Sequence, residues 1–140
     1  ELILKTLEYD RKIKEAGDDL TKLPKFDFKL DAMLPVIHKE IPLKAHAHRA
    51  DDIFTAIRIA KEFGLKITLE HVTEGHLIVD ELIKENLPMA VGPSLTQATK
   101  FELRYKTFAT PGILAKAGGQ VSIITDAPVI PQQYLPLCAH

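Results

Sequence analysis

The chain has 140 residues, 46% of them apolar and 26% charged, and its formal net charge is -1. That length supports one ordinary hydrophobic core, and the composition is that of a globular domain. Charges of both signs are interspersed, which excludes the basic face that nucleic acid or an anionic membrane would need, and no apolar run approaches the ~20 residues of a membrane span. The single cysteine, Cys138, excludes an internal disulfide and fits a reducing compartment, so a cytoplasmic location is expected. No signal peptide is read at the start. The chain opens at Glu1 rather than methionine, so its natural start is expected to lie upstream.

Residues 1–40 read as helical. Leu2, Ile3, Leu7 and Ile13, set among Lys5, Lys12, Lys14 and Glu15, give one amphipathic helix closed by Gly17. A polar connection containing Pro24 follows. A second helix starts near Asp27 and carries Leu30, Met33, Leu34 and Ile37, with Pro35 as a kink or a shifted start. His38 is read as a surface residue. From residue 41 the pattern alternates strand and helix: strand 43–47, helix 51–63, strand 66–71, helix 75–86 with Thr73 as its N-cap, and strand 88–91. A loop at 92–96 follows, residues 97–107 are ambiguous, and Pro111 opens a helix ended by Gly118 and Gly119. The last strand is 121–125, and the tail is expected to be irregular. This alternation predicts an α/β fold, a single domain with a parallel sheet and crossover helices over 41–130.

Three of these strands end in residue types that bind metals. Alternation places His46 and His48 on one face, another strand ends at His71, and the last ends at Asp126. His46 precedes His71 by 25 residues, and His71 precedes Asp126 by 55. A (β/α)₈ barrel spends about 250 residues on eight units, roughly 30 each, so the steps match one unit and two. Strand C-terminal ends line the site in such barrels. Two imidazoles and a carboxylate suit zinc or a similar divalent ion with a position open to water. His48 points past the strand end, towards substrate, the groups behind the ligands, or solvent. Arg49 lies at the rim, where it could bind an anionic group or be solvated. Glu70 is read as structural, and His76 as a residue of a first helical turn. Ser94, Thr96 and Gln97 follow the third strand and can line a pocket.

The segments His46-Ala47-His48-Arg49-Ala50-Asp51-Asp52-Ile53, Leu69-Glu70-His71 and Thr125-Asp126-Ala127-Pro128-Val129 resemble the amidohydrolase superfamily, its imidazolonepropionase-like and prolidase-like members above all. The resemblance runs from about Ile41 to Leu135. It implies a partial TIM barrel covering strands 5 to 8, with His46 as the fifth-strand metal ligand. It implies that His71 is the sixth-strand histidine, which binds a second metal or hydrogen-bonds substrate. Asp126 becomes the eighth-strand aspartate, both a metal ligand and the base that takes a proton from water. The family's first-strand histidine pair and its fourth-strand bridging lysine or glutamate have no counterpart here, so the match is to the C-terminal half of the barrel.

The expected function is therefore that of a fragment of a metal-dependent hydrolase acting on a carbon–nitrogen bond in a small molecule (a cyclic amide, amide or amidine), not competent as an isolated piece. The alternative is a non-catalytic, truncated or degenerate barrel domain serving as a structural or interaction module. A flavodoxin-type binding module would need a glycine loop after the first strand, and 45–52 contains no glycine. With three candidate ligands, weak binding of divalent metal is expected. An open sheet whose inner face carries Ile67, Leu69, Val121 and Ile123 is expected to pair with a second copy or with a missing N-terminal half, or, in second place, to be capped by the N-terminal helices.

Overall fold

A computed structural model describes residues 1–139. The N-terminal part is a helical hairpin, α1 (Leu2–Ala16) and α2 (Phe28–Ile37). On α1, Tyr9 and Ala16 are buried, while the opposite face carries Arg11 between Glu8 and Glu15. Asp27 caps α2 by accepting from the backbone N–H groups of Lys29 and Leu30. Pro35 stays inside the helix near its end, and its carbonyl accepts from Glu40 and Ile41.

His38 is exposed, as expected of a surface residue, but it also ties the hairpin together. It stands at the end of α2, and its Nε2 lies 2.9 Å from a carboxylate oxygen of the buried Asp10, pinning the two helices together. Burial alone would raise the Asp10 carboxyl. The Lys14 ammonium and the His38 imidazole outweigh it and hold that carboxyl below its ordinary 3.8. The unfolded chain therefore binds the Asp10 proton more readily, so the stabilisation is present above pH ~3.8 and is lost as pH falls through the lower folded value. Melting temperatures followed by circular dichroism from pH 5 to 3 are expected to fall less steeply in Asp10→Asn than in the wild type. Equal slopes would show that Asp10 contributes nothing to acid sensitivity.

The rest of the chain builds a four-stranded, all-parallel sheet in the order β1-β2-β3-β4. The strands are β1 (Leu43–Ala47), β2 (Ile67–His71), β3 (Met89–Val91) and β4 (Val121–Ile123). Between them run α3 (Ala50–Phe63), α4 (Val79–Glu85) and α5 (Thr110–Lys116), and α6 (Leu135–Cys138) closes the described chain. Asp51 and Asp52 sit in the first turn of α3, matched to its positive end. Gly64 ends it in the left-handed conformation at φ 61°.

Parallel register pairs His46 with Glu70 and Ala47 with His71, and continues to Ala90 and Val91. Paired residues share a face. One face, with Ala47, Ile67, Leu69, Met89 and Val91, packs on Ile53, Ile57, Ala60, Leu82 and Leu114 of the helices. The other carries Lys44, His46, Thr68, Glu70, Ala90 and Ser122, with Lys44 and Glu70 paired as ions. The uncovered face is thus the polar one. Ile67, Leu69 and Val121, expected to line an open apolar face, instead meet the helices that connect the strands. The N-terminal hairpin does not cap this open face, on which Lys44, His46 and Ser122 remain exposed.

Several sequence boundaries shift, and the expected strand 121–125 ends at Ile123. The expected helix 75–86 divides into a 3-10 turn at Gly75–Leu77 and α4, because Ile78 leaves helical geometry at ψ 36°. Thr73 caps no helix. The tail, expected to be irregular, contains a 3-10 turn at Gln132–Tyr134 and then α6, where Pro136 fits the first turn. Among the described residues no helix is long and apolar enough to cross a membrane.

Candidate metal centre

The C-terminal ends of β1, β2 and β3 open into a cleft of about 350 Å³. His46, His48, His71 and Asp126 all line it. His46 arrives on the open face of β1 by simple alternation, and His48, just past the strand, follows on the same side. His71 does not arrive that way. Its register partner is Ala47, so regular alternation would bury its ring among the helices. The backbone turns left-handed at His71 (φ 72°) and Val72 (φ 48°), and the ring comes to the cleft. Such φ values cost of order 1–3 kcal/mol each, more awkwardly at a β-branched residue. Asp126 leaves β4 in the same left-handed region, at φ 52°.

The three imidazoles converge. Ring nitrogens from His46, His48 and His71 lie within 4.8 Å of one another, and the ring centroids are 4.2 to 4.9 Å apart. His71 Nδ1 lies 2.7 Å from the carbonyl oxygen of Gly92. A carbonyl only accepts, so Nδ1 carries the hydrogen, and in the neutral ring the Nε2 lone pair is free for a ligand's role. Gly92 is required there: its φ is 139°, and a Cβ would stand 2.2 Å from the Ile124 carbonyl oxygen. His48 Nδ1 lies 2.7 Å from Oγ1 of Thr73, which also lines the cleft. Burial first, then the imidazole of His71, pushes His48 down to about 4, so the ring is neutral at neutral pH.

His46 Nε2 and His48 Nε2 face each other at 3.2 Å. Two lone pairs at that distance repel unless a proton or a cation lies between them. Ligands 2.0–2.1 Å from a tetrahedral zinc ion stand about 3.3 Å apart, so the spacing suits one ion shared by both rings. The donor set fits a divalent metal of borderline softness, with two of the three rings oriented by hydrogen bonds at Nδ1.

The tight donor cluster thus differs from the set read off the strand ends. His48, placed between substrate contact and solvent by the sequence, belongs to it. Asp126 lines the same cleft outside the cluster of three. Arg49 does not line the cleft; its guanidinium is held by both oxygens of Asp51. Glu70 is engaged with Lys44 on the open face, and His76 bonds Thr110 Oγ1 through Nδ1 at 2.9 Å. Of the loop residues, Thr96 and Gln97 line the cleft, whereas Ser94 is buried beside it. Sequence reasoning missed Thr73 and Lys106. Thr73 follows the left-handed backbone at His71 and Val72, which has no mark in the sequence. Lys106 sits in the stretch that had no readable pattern.

No family model and no curated protein matches the chain. Among solved structures it is similar to an amidohydrolase from Thermotoga maritima MSB8, with 39% sequence identity and a TM-score of 0.92 over 99% of this chain. The match takes in 36% of that chain, so the protein described here spans about a third of its length. Its four-stranded parallel sheet and helices correspond to part of an amidohydrolase barrel.

Proposed function

We propose that this chain is the metal-holding portion of an amidohydrolase that cleaves a carbon–nitrogen bond in a cyclic amide, amide or amidine, and that it needs the rest of the barrel for turnover. The observation that carries this reading is the convergence of His46, His48 and His71 in one cleft with Asp126. The similarity to the Thermotoga amidohydrolase supports it. His46, His48 and His71 would hold the ion, with Asp126 as a further ligand or as the base beside it. A bound divalent ion supplies Lewis acidity and lets water ionise near neutral pH. Asp126 accepts the proton of the attacking water and delivers it to the leaving nitrogen. His71, its Nδ1 fixed on Gly92, has its Nε2 lone pair free and would offer it to the ion or to a substrate hydrogen bond. Thr73 keeps the His48 ring oriented through Nδ1.

The test is a chimera in which this chain replaces the matching 36% of the Thermotoga amidohydrolase. A zinc-loaded chimera is expected to hydrolyse amide substrates, and Asp126→Asn is expected to lower kcat by at least about 10²-fold with metal content retained. Undiminished turnover in Asp126→Asn, in a chimera whose circular dichroism matches the parent, would remove the assigned base.

A further inference from the structure

One cation in the cleft has no ion-pair partner among the described residues. Lys106 lines it and is partly buried, and its ammonium donates to both the carbonyl and the hydroxyl oxygen of Thr96. An ammonium has three N–H groups, so one remains for a ligand. Among the described residues no carboxylate pairs with Lys106, whereas the other cleft lysine, Lys100, lies 3.5 Å from Glu102. Burial draws the Lys106 ammonium below its ordinary value, with the nearby Cys138 acting in the opposite sense. A half-buried cation is ordinarily matched by an anion. The cleft therefore has two poles: imidazoles and Asp126 suited to a cation, and Lys106 suited to an anion. Pro93, Leu103 and Val129 supply apolar wall around them.

We propose that Lys106, braced by Thr96, is a specificity residue that binds a carboxylate group of the substrate. One unpaired ammonium with one free N–H matches a carboxylate monoanion, whereas a phosphate dianion calls for more donors than the site offers. The inference rests on the hydrolase reading for calling the ligand a substrate; the anion site itself is a property of Lys106 and Thr96.

The probes are N-acetyl-L-leucine, its neutral counterpart N-acetyl-L-leucinamide, and methyl phosphate, titrated by calorimetry into the full chain with and without zinc. The wild type is expected to bind the carboxylate at least about tenfold more tightly than the amide, the size of one hydrogen bond to a charged group. Lys106→Met is expected to bring that ratio to about one, Lys106→Arg to restore part of it, and Lys100→Met to leave it unchanged. Zinc titration and circular dichroism of Lys106→Met are expected to match the wild type, which separates loss of the anion site from loss of the fold. A ratio of one in the wild type, a ratio that survives Lys106→Met, or tighter binding of methyl phosphate would overturn the proposal. If zinc fails to bind while the Lys106-dependent preference persists, the hydrolase reading falls and the anion site stands.

Discussion

Zinc in hundredfold excess over its dissociation constant is expected to raise the melting temperature of the isolated chain by about 8 °C at neutral pH. A ligand at that excess that binds only the folded state adds about 2.7 kcal/mol, and a chain of this size gains roughly 3 °C per kcal/mol. Counting His46, His71 and Asp126 from the sequence predicts weak binding, because three ligands on separate strand ends leave the coordination shell short. The fold changes that count. His48 is brought within 3.2 Å of His46, and its ring is held neutral by burial, so no proton has to be displaced from it near pH 7. Three imidazoles are in place before the ion arrives, which removes much of the ordering cost of binding. His48→Ala is expected to abolish most of the shift. His38→Ala, remote from the cleft and bonded to Asp10, is expected to lower the melting temperature while leaving the zinc increment intact. No zinc-dependent shift in the wild type, or a full shift in His48→Ala, would refute the three-imidazole site.

Light scattering coupled to size exclusion is expected to report a mass about twice the 15.6 kDa of one chain at high micromolar concentration. The strand order leaves β1 and β4 at opposite edges of the sheet, each with one unpaired side. Unpaired edges are templates for another chain. Two four-stranded parallel sheets related by a twofold axis along the strands would join β4 of each copy to β1 of the other and close eight strands into a barrel. The driving force is not the open apolar face that the sequence suggested, since Ile67, Leu69 and Val121 already pack on helices. It is backbone pairing at the edges, together with cover for a polar face on which Thr68 Oγ1 is buried without a hydrogen-bond partner. The backbone of Leu43 and Ala47 bonds β2, which turns Lys44 to the free edge. Lys44→Pro removes an edge donor there without touching those bonds, and it is expected to shift the mass towards one chain. A monomer persisting in the wild type at high micromolar concentration would rule out the dimer.

Much of the fold was legible in residue order. Period-2 and period-3.6 patterns with Gly64 and Asp27 as punctuation placed β1, α3, β2 and the hairpin helices within a residue or two, because those elements obey local backbone and capping preferences. The strand-end positions of His46, His71 and Asp126 were legible too, since each lies where an apolar run stops. Tertiary structure alone decided which face of the sheet is covered. That depends on the side to which the connecting helices fold, and the pattern of one strand does not contain it. It also decided that His48 joins the imidazole cluster and that His71 reaches it: left-handed backbone at His71 and Val72 is held by the Gly92 carbonyl and by packing 21 residues away in sequence, against the intrinsic preference of both residues. Lys106 meets Thr96 and the cleft for the same kind of reason. A contact between loops is set by the closure of the chain around them, and local sequence carries no period that would announce it.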